Sequence, residues 1–502
     1  MELEFQAYTM PYLRQTLSKT QNCEETADMV VPDSLPDIDR IVLCSAGVMM
    51  RSKQCSGGAV TVSGGIHADV LYCAQEDAEP RRLEVYLPFT VKTDAPDVSD
   101  DAQIQFRAWI RSADARMINS RKISVCVNFG CELQAYQPDE ITLYQPPEVP
   151  ENIQLRCCEY PMDFVVDAGE KPFRMTEEVQ LPATNPLGDL VLCCKPELEI
   201  TEQRLAGNKA AFKGLAHISL LYMDENGKPI PYETRFPFSQ FCELGAVYDG
   251  ESLWITPIIT GCEVERVTHA DQDALSIDLH ILAQCTVVRK TSVTLCEDAY
   301  AIGGRLKPCW ADYTFTDRLD RQTNTYSVRE GYSGDVREVL CTQVLADTPE
   351  VRRVEGGVEV AVPCTAELLY YDGEGQLQGA SVHARAAEKL LLAENADCGA
   401  AVENAECSAS VSADGAEIRV TMQVCAQCRA QREYRAIKSF EYTPEETPQR
   451  RRCAVIARRL CDGETLWEIA KANGTSVQAI CDANGLDGDA AETDMLLLIP
   501  IS

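Results

Sequence analysis

The sequence predicts a mainly β protein with three tandem β-sandwich-like, β-rich repeats and a small α+β module of βααβ order at the C-terminus. Three observations support this fold class: an internal repeat, strands of alternating apolar residues in every copy, and a change to helical periodicity near the end of the chain. The 502 residues are too many for one hydrophobic core. Several packed units are therefore expected.

Each repeat begins with a glycine-containing turn, followed by an apolar strand that ends at a tyrosine. Glycine and asparagine tolerate a positive φ at both central positions of a two-residue hairpin, so the turns predict β-hairpins. The distance from turn glycine to tyrosine is 15 residues in every copy (72 − 57, 222 − 207 and 371 − 356). The turns are Gly57-Gly58, Gly207-Asn208 and Gly356-Gly357, and the tyrosines are Tyr72, Tyr222 and Tyr371.

Further along each copy, an alternating strand predicts one buried face. A Pro-Phe element precedes this strand in the first two copies, at Phe89 and Phe238, whereas the third copy has Ala386 there. The alternating strands are 123–127, 275–279 and 418–422.

Proline-rich or polar stretches around 137–150, 290–312 and 442–448 predict connectors between the copies. We expect repeats at 20–136, 160–290 and 312–436, a linker at 437–452 and the last module at 453–502. A period this long predicts separate beads rather than one continuous core.

The net charge of −32 argues against a nucleic-acid or anionic-membrane partner, and it would suit a basic protein partner. Insertion into a membrane is not expected either. The first 30 residues lack the apolar core of a secretory signal, and no apolar run approaches the length of a membrane span. The protein is therefore expected in the cytoplasm of the cell that makes it.

Three interpretations of the 24 cysteines remain open: reduced residues buried in strands, later oxidative cross-linking, and metal binding. The pair Cys425 and Cys428 has C-x-x-C spacing, but it lies in a predicted strand without a second pair at zinc spacing. We predict neither a metal site nor a cofactor.

No catalytic motif is recognisable, and we predict that the protein is not an enzyme. The sequence lacks a Gly-x-Ser-x-Gly elbow, a phosphate loop and a His-Glu-x-x-His motif. Alternating apolar neighbours make His67 and His217 strand-face residues. The five histidines are His67, His217, His269, His280 and His383.

The C-terminal module shows two short amphipathic helices between two strands. Thr465 and Glu468 predict a capping box at the start of the first helix. Left-handed caps are expected at Gly474 and Gly485. The second helix is expected to begin at Thr475 or Ser476, with Val477, Ile480 and Ala483 facing inward.

Residues 462–470, 474–480, 484–486 and 497–500 closely resemble the LysM domain. The resemblance implies a βααβ fold that binds polymers of N-acetylglucosamine, such as peptidoglycan. The usual Pro-Gly-Gln-type turn is replaced by residues 491–495. Trp467 is either a sugar platform or a packed helix residue, and Asn484 either a groove residue or a helix cap. The implied groove for glycan or partner consists of Gly463, Glu464, Thr465, Leu466, Trp467, Asn484, Gly485, Leu486 and Asp487.

The first repeat also resembles the SPOCS domain of spore-coat morphogenetic proteins, through residues 31–39, the hairpin, the strand ending at Tyr72 and the element at 87–89. Tandem SPOCS domains followed by one LysM domain imply a scaffold made in the mother cell, which tethers the coat to the basement-layer ATPase at the forespore surface or to other coat proteins. Two alternatives remain: a peptidoglycan-binding protein, and a component cross-linked through cysteine.

Overall fold

The computed structural model describes residues 2–75, 79–268, 273–391, 397–445, 454–486 and 494–501. Strands form 80% of the structure and helices 3%, which confirms the mainly β fold class. Among the described residues, both helices have eight residues, and neither is long and apolar enough to cross a membrane.

Within these residues, the first repeat is a sandwich of two three-stranded antiparallel sheets. Its strands are β1 (Glu2–Glu4), β2 (Gln6–Val30), β3 (Ile38–Ser56), β4 (Ala59–Ala74), β5 (Pro80–Asp94), β6 (Gln103–Asn119) and β7 (Lys122–Gln145). One sheet has the order β3-β4-β5, and the other contains β6-β7-β2. Between the sheets, Phe89 contacts Phe129 with ring centroids 5.0 Å apart. Alternate residues of β7, from Ile123 to Ala135, are buried in this core, as the alternating pattern predicts.

The second repeat has the same topology. Its strands are β8 (Ile153–Gln180), β9 (Leu187–Asp224), β10 (Pro229–Tyr248), β11 (Ser252–Thr268) and β12 (Asp273–Ala301). Strand β9 bends back on itself at Gly207, so that Glu199 accepts a hydrogen bond from His217 at 3.1 Å. The two halves of β9 with β10 form one side of the sandwich, and β11-β12-β8 form the other.

The third repeat also follows this plan. Its strands are β13 (Gly304–Ser333), β14 (Glu338–Ala346), β15 (Glu350–Val354), β16 (Gly357–Tyr371), β17 (Leu377–Leu390), β18 (Asp397–Ser412) and β19 (Gly415–Pro444). Strands β14 and β15 together occupy the place of β3 beside the central strand β16. The C-terminal module consists of β20 (Val455–Arg459), α1 (Leu466–Asn473), α2 (Val477–Asn484) and β21 (Leu496–Pro500).

The turns differ between the copies. In the third copy, the spacing of 15 residues connects a glycine and a tyrosine that are not equivalent to Gly57 and Tyr72, so the prediction is wrong there. Gly57 and Gly58 both have a positive φ, at 59° and 73°. In the third copy Gly356, at φ 76°, is the second turn residue and therefore corresponds to Gly58. The core tyrosine is then Tyr370, since 370 − 356 = 72 − 58 = 14. Tyr370 is buried in the third sandwich, as Tyr72 is in the first.

The second turn needs a separate correction. Gly207 has a φ of 64°, but Asn208 does not have the positive φ that the hairpin prediction assigned to it. Among the described residues, Asp494 alone combines a positive φ with a side chain other than hydrogen. A positive φ costs asparagine more than glycine, so the bend is completed at Gly207.

Each sandwich has a hydrophobic core of its own, and the three sandwiches also meet in one shared apolar cluster, so the predicted beads are in contact rather than separate. At the centre of the shared cluster, Leu71, Leu221 and Leu369 come from equivalent positions of the three central strands, one residue before the core tyrosines. We call this cluster the hub. Its buried members are Val42, Leu71, Cys73, Leu192, Leu221, Met223, Leu340, Leu369 and Leu377.

Polar contacts reinforce the hub. Gln284 of the second sandwich, 2% exposed, accepts a hydrogen bond from the Phe106 amide of the first and donates one to its carbonyl, both at 2.8 Å. Arg40 donates to the carbonyl of Leu377 at 3.0 Å, which joins the first sandwich to the third. Buried polar groups are thus paired across the boundaries between repeats.

The predicted connectors are mostly strands. Strands β2, β7, β8, β12, β13 and β19 run beyond the sandwiches, past the expected domain bounds. Together with β1, which pairs with β19, their ends pack into what we call the stalk (residues 2–16, 135–145, 153–166, 287–301, 304–316 and 430–444). Tyr160 contacts Tyr434 at 4.5 Å between ring centroids, and Phe5 contacts Phe440 at 5.9 Å. Proline does not prevent these ribbons, because it is tolerated where its nitrogen faces away from the neighbouring strand.

Truncating a hub side chain tests the shared cluster. We expect Leu221→Ala to lower the free energy of unfolding by about 2–5 kcal/mol, because it leaves a cavity that three repeats line. Urea denaturation measures the effect. The matched control, Leu391→Ala, removes the same atoms from a residue that is 80% exposed and should change the value by less than about 0.5 kcal/mol. Equal effects of the two substitutions would contradict the shared cluster.

Glu367 makes the stability of the assembled repeats depend on pH. Burial, with Asp114 of the first sandwich nearby, raises the pKa of Glu367 to about 7, although Gln343 donates a hydrogen bond to it. A carboxyl with a raised pKa contributes stability at low pH, which is lost as the pH rises through about 7. Glu367→Gln should therefore be more stable than the wild type at pH 8, by roughly 1–3 kcal/mol, and close to it at pH 5. Thermal unfolding at the two pH values checks this, and the same difference at both would contradict it.

Candidate binding site

The two helices of the C-terminal module begin and end where the sequence predicts. The Glu468 amide donates to Thr465 Oγ1 at 3.3 Å, and the Thr465 amide donates to Glu468 Oε2 at 3.1 Å, which confirms the capping box. Gly474 and Gly485 have φ values of 62° and 63°, so both left-handed caps are confirmed. These local interactions hold the loops of the expected groove in place.

The second helix begins at Ser476, which accepts a hydrogen bond from the Ala479 amide at 3.1 Å. Its inward face differs from the prediction at one position. Ala483 is exposed, and Cys481 is buried beside Ile480 instead. The last turn of α2 thus places Cys481 toward the core and Ala483 toward solvent.

Several predicted groove residues have structural contacts. Leu466 is 2% exposed and belongs to the core of the module. Asn484 ties α2 to β21, because its side chain donates to the Leu498 carbonyl at 2.7 Å and accepts from the Leu498 amide at 2.8 Å. Glu464 pairs with Arg458 and accepts from the Cys461 amide at 3.1 Å, and these bonds, led by the one from Cys461, lower the pKa of Glu464.

Three predicted groove positions remain open to a ligand, since Gly463, Thr465 and Gly485 are exposed. Leu486 is half-buried and packs against the same core as Leu466. Asp487 and most of the altered turn at 491–495 lie outside the described residues. The two predicted groove loops therefore pack on the same hydrophobic core, and their role as a ligand site stays a prediction.

Trp467 packs on the stalk. Its Nε1 donates to Asp298 Oδ2 at 2.8 Å, and its ring contacts the ring of Tyr300 at 4.9 Å between centroids. Lys471, one turn further along α1, donates to both carboxylate oxygens of Asp298 at 2.7 Å. Tyr300 also donates to the Thr475 carbonyl at 2.8 Å. Sequence reasoning missed Asp298, because 169 residues separate it from Trp467.

The other side of the module is apolar and exposed. Val455, Leu496 and Leu498 are 51%, 57% and 44% exposed. Since neighbouring residues of a strand face opposite sides, these side chains lie on the face of the β20–β21 sheet away from the helices, where Ala457 pairs with Leu498. We call this surface the outer face. Arg459, which pairs with Leu496, is exposed on the same face, so the outer face carries one cation beside its apolar side chains.

The described histidines have partners other than cysteine thiols. His217 contacts Glu199 at 3.1 Å, His383 contacts the Thr365 hydroxyl at 3.0 Å, and His67 packs on Tyr86. His280 lies 3.8 Å from the Asp278 carboxylate, and His269 is outside the described residues. Within the part of the chain that the structure describes, no group of three or more metal-ligating side chains could hold a metal ion.

Two protein families match the chain. The family described as "LysM domain" matches residues 462–500, and the family described as "SipL, SPOCS domain" matches residues 37–118, which cover most of β3 to β6. The predicted architecture of SPOCS and LysM domains is thereby confirmed. Both are generally non-catalytic binding modules, and together they fit a sporulation coat protein with a cell-wall-binding module.

Other comparisons add little. No curated protein matches the chain. Among solved structures, the ferric yersiniabactin uptake receptor FyuA from Yersinia pestis is 10% identical, over 84% of this chain and 80% of that one, with a TM-score of 0.11. This score supports no argument about the fold.

Removing the Asp298 carboxylate tests the docking of the LysM domain on the stalk. Burial would raise the pKa of Asp298, but hydrogen bonds from Lys471 and Trp467 outweigh it and hold the pKa below the usual 3.8. Docking should thus be complete at neutral pH and be lost only as the pH falls below about 3.8. Asp298→Asn should mimic that loss and speed hydrogen exchange in α1 at pH 7.

Asp312→Asn is the matched control, because Asp312 lies on the same stalk with 84% of its side chain exposed. The rate of hydrogen exchange in α1 of the Asp312→Asn variant should equal that of the wild type. Unchanged exchange in the Asp298 variant would show that other contacts hold the domain.

Proposed function

We propose that the protein is a non-enzymatic scaffold of spore coat assembly, made in the mother cell, which tethers the coat to the forespore surface through protein–protein contacts. The observation that supports this most is the outer face of the LysM domain. Its three exposed apolar side chains are directed away from the helices, one of which is docked on the stalk. A protein partner buries such a surface favourably, whereas a hydrated polysaccharide offers it little apolar area.

The rest of the chain supports the same role. The hub joins the three sandwiches and the stalk joins their long strands, so the LysM domain projects from a platform that other coat proteins can bind. The net charge of −32 favours a basic surface on the partner. The basement-layer ATPase of the coat, or another coat protein, is the partner we propose for the outer face.

Peptidoglycan binding is the second candidate. The LysM match at 462–500 and the exposed positions Gly463, Thr465 and Gly485 favour it. Packing of Trp467 on Asp298 and Tyr300 of the stalk speaks against its use as a sugar platform.

The two candidate functions predict different effects of the same substitutions on binding. Replacing Leu496 and Leu498 by Glu should weaken binding of the full-length chain to the purified basement-layer ATPase at least tenfold, because two charges would enter an apolar interface. If the scaffold proposal holds, neither the wild type nor the variant should show sedimentation with purified peptidoglycan that soluble N-acetylglucosamine oligomers compete away. Leu391→Glu controls for added charge at another exposed leucine.

Surface plasmon resonance measures the first interaction and co-sedimentation the second. In sporulating cells, the double variant should leave coat material detached from the forespore. Full attachment in the variant, or wild-type sedimentation with peptidoglycan that soluble N-acetylglucosamine oligomers compete away, would favour the glycan-binding candidate.

A further inference from the structure

A cleft of about 1220 Å³ opens where the three sandwiches meet. Its walls include β3 and β6 of the first sandwich, β9 and β11 of the second, and β14 and β18 of the third. These strands also contact each other between sandwiches, so that β11 lies against β3, β6 against β14 and β18 against β9. The cleft therefore follows the centre of a ring of three similar units and admits small solutes.

Two cysteines in the wall of this cleft lie against each other. Cys194 is on β9 and Cys262 on β11, and both line the cleft and are half-buried. Their thiols hydrogen-bond although the strands belong to opposite sheets of the second sandwich. Both side chains also pack against the same hydrophobic cluster between the two sheets of the second sandwich. They therefore share one core, and the cleft gives an oxidant access to both.

Other cysteines are paired as well, but away from the cleft. Exposed Cys157 lies opposite buried Cys296 on the neighbouring strands β8 and β12. Cys398 and Cys428 are joined across the neighbouring strands β18 and β19, with Cα atoms 4.2 Å apart. Cys242 and Cys285 hydrogen-bond to each other while both are buried. Among these pairs, Cys194 and Cys262 combine contact across the two sheets with a position on the cleft.

We propose that Cys194 and Cys262 form an oxidisable dithiol, which closes into a disulfide across the two sheets of the second sandwich when a low-molecular-weight disulfide enters the cleft. The inference does not depend on the identity of the partner of the LysM domain. It assigns the cleft a chemical role, the entry of a small thiol-reactive solute.

The reaction proceeds by two exchanges. The hydrogen bond from Cys194 lowers the pKa of Cys262 against the effect of burial, and Arg82 acts in the same direction, whereas Asp69 opposes it. The Cys262 thiolate attacks one sulfur of the small disulfide and releases one small thiolate, which takes up a proton. Cys194 loses its proton, attacks the Cys262 sulfur of the mixed disulfide and releases the second small thiol. Two protein thiols lose two protons and two electrons, and one small disulfide becomes two thiols.

The disulfide would act on the assembly of the three repeats. Leu192 belongs to the hub, Cys193 packs on it, and Cys194 is the next residue of β9. The disulfide therefore ties a strand of the hub to β11. It closes a loop between residues 194 and 262 and stabilises the folded chain by restricting the unfolded one. Oxidation would thus stiffen the platform from inside its central cleft.

Peptide mapping of the wild-type, full-length chain is the first test. The reduced protein is incubated with oxidised glutathione, remaining thiols are alkylated, and the digest is read by mass spectrometry. A peptide linking Cys194 to Cys262, lighter by two hydrogen atoms than its two parts, should accumulate before mixed disulfides at the exposed Cys309 and Cys461. Modification of Cys309 and Cys461 without any Cys194–Cys262 link would overturn the proposal.

Variants assign the two roles. Cys194→Ser should accumulate glutathione on Cys262, because the second exchange cannot follow, and Cys262→Ser should react at Cys194 at least tenfold more slowly. Cys309→Ser is the matched control and should form the link at the wild-type rate. Oxidation should also raise the thermal midpoint of the wild type and not that of Cys194→Ser. Equal midpoints of oxidised and reduced wild type would overturn the stabilising role.

Discussion

Packing of the hub is the interaction on which the rest of the structure depends. The central strand of each sandwich has two buried faces, one toward its own core and one toward the other repeats. Tyr72 and Leu71 show this division in the first repeat, since Tyr72 lies in the sandwich core and Leu71 in the hub. A single repeat in water would expose its hub leucines, so each repeat needs the other two to bury its apolar surface. The repeats therefore act as one folded body rather than as a flexible chain of domains.

The long strands transmit this arrangement to the LysM domain. Strand β12 begins in the second sandwich, continues through the stalk and ends with Asp298 and Tyr300 beneath α1. Because β12 is paired along nearly its whole length with β8, the position of Asp298 is fixed by the sandwich far from it. The carboxylate then holds Trp467 and Lys471, and this contact leaves the outer face of the domain exposed.

Charged residues at the surface differ from those near the boundaries between repeats. The excess of acidic residues lies mostly where water reaches it, while carboxylates near the interfaces between repeats have specific partners. Arg111 pairs with Asp347 between the first and third sandwiches, whereas Arg321 pairs with Glu403 within the third sandwich, beside the cleft. Paired charges of this kind fix the orientation of neighbouring units more than they add stability.

The sequence alone determined the features that depend on neighbours in the chain. The helix caps at Thr465, Gly474 and Gly485 and the alternating strands follow from local backbone preferences and periodicity, and they could be predicted. Tertiary structure decided the rest: that the repeats share a hub, that Tyr370 rather than Tyr371 enters the third core, and that Trp467 meets Asp298. Each of these depends on contacts between residues far apart in sequence, whose partners are set only when the strands have found their register and faces.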